Sequence, residues 1–253
     1  MTRQGRIGVA AALLCAAPAH AAVPAAASGA RCDGLPRLSV TTPDGFCVAV
    51  LATGLAFPRG VQPLPNGDIL VADMGGWEPN QGGVWLLKRG AIQVAMPALK
   101  NDNELPHDEL NLIQPGQFYG WPYCYDDNRP SPEYPTLGCI AYRAPARLLP
   151  PHAAPLGMTF YTAGGFPALY RNSLIIGCHG YRQHGRRLVA LLPDKAGAPL
   201  GKSVELIGGW TRKGKQGMGA PVDVKQGQDG HVYIADDRNG MVLRLQYVGA
   251  AAR

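Results

Sequence analysis

Residues 58–73 read PRGVQPLPNGDILVAD, and residues 221–236 read PVDVKQGQDGHVYIAD. Set at an offset of 163 (221 − 58), Pro58 meets Pro221, Val61 meets Val224, and Asn66-Gly67 meets Asp229-Gly230. Val71-Ala72-Asp73 then meets Ile234-Ala235-Asp236. Each copy predicts a strand, an Asn-Gly or Asp-Gly hairpin turn, and a second strand. A third apolar run follows each, Gly83–Leu87 in one case and Met241–Leu245 in the other. Leu156–Gly180 is a looser third copy, with Met158–Tyr161 and Ser173–Gly177 as its strands. No window after residue 30 sustains the i, i+3, i+4, i+7 spacing of an amphipathic helix. Repeated antiparallel sheets of this kind predict an all-β chain folded as a β-propeller. At about 40–45 residues per blade, the chain holds four to five blades' worth of sequence. A β-sandwich with similar hairpins is the competing fold.

The bulk composition agrees. Hydrophobic residues make 46% and charged residues 17% of 253, a globular balance. The 33 glycines and 23 prolines are spread along the chain, as many tight turns require. The net charge of +6 is scattered, and its densest runs, Arg182–Arg187 and Arg212–Lys215, lack interleaved aromatics. Nucleic acid is therefore not an expected partner. Arg3 and Arg6, the apolar run Ile7–Ala17 and Ala19-His20-Ala21 read as a signal peptide over residues 1–22. That run is too short to span a bilayer, and no later stretch is apolar enough for stable membrane insertion. Leu14 stands before Cys15 where lipoprotein processing needs a small residue. The expected product is one domain, residues 23–253, exported to the periplasm or secreted. Export makes the cysteines legible. Cys32 with Cys47 and Cys124 with Cys139 are the local pairs, each closing a loop of about fifteen residues worth roughly 3 kcal/mol. Spacing alone does not fix the connectivity. Cys178, beside Leu174, Ile175 and Ile176, reads as a buried thiol, and without a CxxC no zinc site is indicated.

Residues 107–127, HDELNLIQPGQFYGWPYCYDD, place a charged group against an apolar run and an aromatic corner. This segment resembles the Asp-Glu-Leu-Asn, Pro-Gly and Tyr-Gly-Trp-Pro pattern of the glucose/sorbosone dehydrogenase family. GLAFPRGVQPLPNGDILVAD, LGMTFYTAGGFPALYRNSLIIGCHGYR and APVDVKQGQDGHVYIADDRNGMVLRL are similar to the same family, in its order. The resemblance implies an exported six-bladed propeller that oxidises aldoses or sugar aldehydes. It implies pyrroloquinoline quinone as cofactor, held with the help of calcium, a small sugar as substrate, and an external electron acceptor. It places Asp108 at the inner end of a strand facing the cofactor, with Glu109 and Asn111 bracing the turn. Phe118–Pro122 would form a packed corner. His152 and the His179-Gly180-Tyr181-Arg182 run fall on loops near the central face. Asp108, His152, His179 and Arg182 are thus the candidate cofactor-binding residues.

The chain also departs from the family pattern. Between Lys88 and His107 there is no room for a blade, although the family places several blades there, one of them carrying its catalytic histidine. The propeller is therefore expected to be incomplete, with exposed sheet edges and faces or self-association. No residue is assigned as replacement base. Ala220 and Val222 stand where the family has arginines, leaving Arg182, Arg186, Arg187 or Lys215 to balance the cofactor's carboxylates. Asp73, Asp236 and Asp237 read as a metal site or as turn caps. A non-catalytic propeller is the alternative function. A calcium-dependent lactonase would need several inward carboxylates, and Asp108 alone resembles one.

Overall fold

The structure, a computed structural model, describes residues 30–74, 83–87, 106–112, 114, 116–120, 123–132, 134–136, 138–210 and 218–249. In chain order its strands are β1 (Arg31–Cys32), β2 (Leu35–Pro36), β3 (Phe46–Ala52), β4 (Pro58–Pro63), β5 (Ile69–Asp73), β6 (Gly83–Leu87), β7 (His107–Leu110), β8 (Cys124–Tyr125) and β9 (Arg129–Pro130). They continue as β10 (Arg147–Pro151), β11 (Pro155–Tyr161), β12 (Ser173–Cys178), β13 (Arg187–Leu191), β14 (Ser203–Ile207), β15 (Pro221–Gln226), β16 (Val232–Asp236) and β17 (Met241–Tyr247). A single 3₁₀ turn, Ala168–Tyr170, is the one helical element among the described residues. None is a helix long and apolar enough to cross a membrane.

The repeat folds as its sequence dictates. β4, β5 and β6 pair in order, as do β15, β16 and β17. In the first copy Gly67 takes a left-handed φ of 83°, and the Asp68 N–H donates to Asn66 Oδ1. In the second, Gly230 takes 77°, and the His231 N–H donates to Asp229 Oδ1. These are the same turn built from an Asx side chain and a glycine. The looser third copy proves a full blade, β11-β12-β13-β14. All three inner strands begin with proline and shift register two residues later, at Pro58/Gly60, Pro155/Gly157 and Pro221/Asp223. Proline has no N–H to lose there, and the bulge turns the strand's first residue out of the ladder.

One closure is invisible to a local reading. β3, from the N-terminal side, pairs with β17 and completes the last blade as β15-β16-β17-β3. The Cys32–Cys47 disulfide fastens β1 to this strand. Three apolar wedges hold the blades together. Val61, Ile69 and Val71 pack on Val222, Tyr233 and Val242. Val224, Ile234 and Leu243 pack on Tyr161, Ile175 and Leu188. Leu110 and Leu149 pack on Leu174, Ile176 and Leu191. The blades therefore stand in the spatial order β4–β6, β15–β17 with β3, β11–β14, and β7 with β10.

Among the described residues the last of these has two strands. The propeller is incomplete, as the short spacer before His107 predicts. Its consequence shows on β11. One face packs on β15, where Gly157 lies against the Asp223 backbone. On the other, Leu156, Met158 and Phe160 are 44%, 41% and 55% exposed. At the start of β7, Asp126 accepts the His107 N–H at 2.7 Å. Asp126 sits in an excursion braced by the Cys124–Cys139 disulfide.

Candidate functional site

In an up-and-down blade, the loop entering the first strand and the loop leaving the second lie at the same end. Ala56-Phe57, His152–Ala154 and Gly219-Ala220 are such entries, while His179–Arg186 and Asp237–Gly240 are such exits. They form one end of the propeller, and the candidate residues collect there.

Two aspartates turn out to be scaffold. Asp73 accepts the N–H groups of Ala56 at 2.8 Å and Phe57 at 2.6 Å. Asp236 accepts the Ala220 N–H at 3.0 Å and the Asn239 side chain at 2.6 Å. Each caps the backbone entering its inner strand, so turn capping accounts for both. Burial pushes the Asp236 carboxyl up to about 6, against the pull of its Asn239 and Ala220 bonds.

Asp237 behaves differently. Its Oδ1 lies 3.0 Å and its Oδ2 3.1 Å from His179 Nε2. Arg59 Nη1 donates to Oδ2 from the other side. The three side chains are 8%, 4% and 9% exposed for Arg59, Asp237 and His179. They come from three consecutive blades, with sequence separations of 178 and 58. The Tyr181 ring meets the His179 ring nearly perpendicular at 5.2 Å, and Arg238 lies 5.5 Å over Tyr181. Tyr181 is exposed and carries this stack to the surface.

The predicted residues arrange around the segment 152–154. Asp108 Oδ2 accepts the Ala154 N–H at 2.9 Å. Burial pushes its carboxyl above the usual range, opposed by the Ala154 and Ala153 backbone bonds and by His152 and His107. His179 N–H donates to Ala154 O at 3.0 Å, and Gly180 N–H to Ala153 O at 2.9 Å. A Cβ at Gly180 would collide with His152 O, so only glycine lets the two loops approach this closely. Thus Asp108, His152 and His179 share one loop pair. Arg182 sits further out, exposed on the same loop.

His152 is held at φ 56°, and among the described residues its Nε2 is buried without a partner; the same holds for Arg186 Nε nearby, while Arg186 Nη2 donates to Tyr181 O. These two nitrogens, with Arg182 and Arg238 at the surface, suit a ligand bearing several carboxylates. Pyrroloquinoline quinone is such a ligand, and these residues fit it. Ala220 and Val222 offer no cation: both are buried, 0% and 6% exposed. Arg187 is engaged with Glu205 at 3.0 Å. Lys215 lies outside the described residues, as do the 211–217 basic run, Trp121 and Pro122, and the 1–22 leader. Among the described residues no three His, Cys, Asp or Glu side chains gather to hold a metal, so no calcium ligands are assigned.

The remaining candidates have structural employment. Glu109 Oε2 accepts from Asn111 Nδ2 at 3.2 Å, bracing the strand end. His107 Nδ1 lies 3.3 Å from Asp126. Phe118 is 48% exposed, so that corner is less buried than expected; its ring packs on Tyr142 at 5.2 Å. Cys178 is buried, and burial pushes its thiol up to about 12, leaving it inert. The sequence reading missed Arg59 and mistook Asp237 for part of a capping or metal set. A signal was present: at the repeat offset Arg59 meets Val222, and Asp237 meets Met74. The site residues stand where the repeat breaks.

Similarity to known proteins agrees with the fold. A sequence profile described as glucose/sorbosone dehydrogenase matches residues 76–244. An uncharacterized Borreliella burgdorferi protein is 27% identical over 157 residues, covering 57% of this chain and 40% of that protein. An uncharacterized Synechocystis protein is 32% identical over 143 residues, covering 55% and 31%. The chain thus spans well under half the length of either relative. Among solved structures, a Trichoderma reesei carbohydrate-active enzyme of family AA12 superposes with a TM-score of 0.61 at 12% identity, covering 86% of this chain and 100% of that one. The holo pyranose dehydrogenase PQQ domain of Coprinopsis cinerea gives 0.58 at 15%, covering 85% and 99%. These identities speak for the fold alone. The profile covers most of the chain, and on that ground the protein belongs to the glucose/sorbosone dehydrogenase family.

Proposed function

We propose that the chain is an exported, quinone-dependent oxidoreductase acting on an aldose or sugar aldehyde at the propeller end described above. The observation that carries this reading is the buried His179–Asp237–Arg59 cluster beside unpartnered His152 Nε2 and Arg186 Nε. A histidine bound to a carboxylate is suitable equipment for taking a hydroxyl proton. Unpartnered nitrogen groups and surface arginines are suitable for a polyanionic cofactor.

In this reading Arg182, Arg186 and His152 would hold the carboxylates of pyrroloquinoline quinone, and Tyr181 with Arg238 would border the site. When bound, the quinone supplies a two-electron oxidant that accepts hydride. His179 receives the proton of the sugar hydroxyl, standing in for the histidine of the absent blade. Asp108 acts from behind, holding Ala154 and so the loop that positions His152 and His179. An external acceptor would take up the electrons. Calcium has no ligand set among the described residues and enters as a supplement to be tested. The predicted leader and two disulfides support export to an oxidising compartment, with residues 23–253 as the mature domain.

The second reading is a non-catalytic propeller. The exposed stripe of Leu156, Met158 and Phe160 and the apolar positions 220 and 222 favour it. A dye-linked assay separates the two. Purified mature protein is reconstituted with pyrroloquinoline quinone, with and without calcium, and offered a panel of aldoses. Sugar-dependent dye reduction that His179→Ala lowers at least tenfold supports the first reading. A folded, reconstituted protein that reduces no dye with any sugar supports the second.

A further inference from the structure

Two strands, β7 and β10, stand against the four-stranded blade β11–β14 and leave part of its face open. On the inner side, the stripe on β11 is exposed. On the outer side, a cleft of about 400 Å³ runs between β10 and β13. Alternation along β13 turns Leu188 and Ala190 into the wedge with β15–β17, and Val189 and Leu191 toward this cleft. With Leu149, Ile176 and Cys178 they give it an apolar wall continuous with the third wedge. A small-molecule site typically holds about 300–1,000 Å³, so the cleft is large enough for one. From Arg187 to Leu191 it follows the strand for about 13 Å, by the rise per residue.

The polar groups of the cleft are cationic or neutral. His107, Arg147, His184, Arg187 and Ser203 line it, and among the described residues no Asp or Glu does. The cations differ in what they already hold. Arg187, at the end near His184, is engaged at every nitrogen: Nη1 pairs with Glu205 at 3.0 Å, while Nε and Nη2 donate to Gly185 O and Gln183 O. His107 Nδ1 lies 3.3 Å from Asp126. Arg147, at the opposite end, meets no carboxylate among the described residues. Its Nη1 donates to Leu200 O at 3.1 Å and to Gly201 O at 2.5 Å, which fixes the guanidinium. Nε and Nη2 are left, and a pair of parallel N–H groups of this kind takes a carboxylate bidentately. A fixed cation at one end of an apolar slot calls for an anion with an apolar tail.

We propose that this cleft binds a medium-chain fatty carboxylate, its head on Arg147 and its chain along Leu149, Ile176, Val189 and Leu191 toward His184. An extended chain of about ten carbons matches the length of the slot. The chain completes the apolar cover that β7 and β10 leave unfinished. The site uses none of Asp108, His152, His179 or Arg182, so it stands whether or not the protein oxidises a sugar.

The test is isothermal titration of the purified mature protein with decanoate, and with 1-decanol as the uncharged match. Decanoate should bind saturably, one per chain, and raise Tm. Decanol should bind roughly tenfold more weakly. Arg147→Met should weaken decanoate by roughly the same tenfold and leave decanol unchanged. Val189→Trp, at a half-buried position whose side chain grows into the cleft, should abolish binding of both by a chain that still unfolds cooperatively. Met158→Asp, on the β11 stripe, should change neither affinity. In ¹H–¹⁵N spectra of the wild-type protein, decanoate should shift amides of β10 and β13, a readout that needs no variant. Absence of saturable decanoate binding overturns the proposal. So does decanol binding as tightly as decanoate, or Arg147→Met keeping the wild-type affinity. Shifts confined to β11, with binding lost in Met158→Asp, would place the chain on the exposed stripe and overturn it as well.

Discussion

The hairpins at residues 58–73 and 221–236 share their turn, their aspartate cap and the bulge after the leading proline. They part at Arg59 against Val222, and just past the hairpin at Met74 against Asp237. What is repeated builds the blade; what is not repeated builds the Arg59–Asp237–His179 cluster. The capping aspartates would draw attention in any search for paired carboxylates, yet Asp73 and Asp236 serve backbone amides in each copy. The charge that reaches a histidine is the one the other copy lacks.

That comparison has consequences for stability, the largest at the caps. Asp236 is fully buried and accepts from Ala220 and Asn239. Asp236→Ala leaves those donors unpaired and should cost about 3 kcal/mol. Asp73→Ala should cost about 2 kcal/mol by the same principle, since Asp73 also caps two amides at a less enclosed blade. Urea unfolding of the two variants checks this. Equal and negligible losses would mean that the caps are ornamental and that the division into scaffold and site is mistaken.

A smaller effect concerns pH. Asp236 has its carboxyl raised from 3.8 to about 6 by burial, and burial raises Asp108 and Glu109 in the same direction. Between about pH 4 and 6 the folded chain then binds more protons than the unfolded chain. Stability should therefore fall as pH rises through that window. Asp236→Asn should flatten most of the slope. Unfolding midpoints at pH 4.5, 5.5 and 6.5, values chosen to bracket roughly that window, provide the measurement.

The smallest difference lies in the turns. Gly67 and Gly230 both have positive φ, but a Cβ at Gly67 meets nothing within 4 Å, whereas at Gly230 it falls 3.3 Å from Gly165 N. Gly67→Ala should cost about 1 kcal/mol from backbone strain, and Gly230→Ala a few tenths more. A reversed order would show that the second hairpin gives more easily than its packing implies.

The scaffold was legible because its signals are local. Asn66-Gly67 and Asp229-Gly230 declare their turns, and the alternating runs beside them declare strands. Cysteines fifteen residues apart paired as expected. Residues without local correlates were hidden. Phe46–Ala52 reads as a strand, but nothing in it says that its partner is β17, nearly the whole chain away. Arg59 and His179 meet Asp237 only because three blades converge at one end. His152 was visible as a loop histidine, yet its left-handed backbone and its closeness to Gly180 depend on how two loops meet. The truncated blade lay between these cases. The short spacer before His107 foretold missing strands, and the exposed face of β11 is where they are missed.

The most direct test of the account is equilibrium binding of pyrroloquinoline quinone to the mature protein, followed by absorbance with and without calcium. Saturable binding is expected, weakened several-fold or more by His152→Ala and by Arg186→Ala, and unchanged by Gly67→Ala in the scaffold turn. A folded protein that binds no quinone in either condition would contradict the account and leave the propeller without its proposed chemistry.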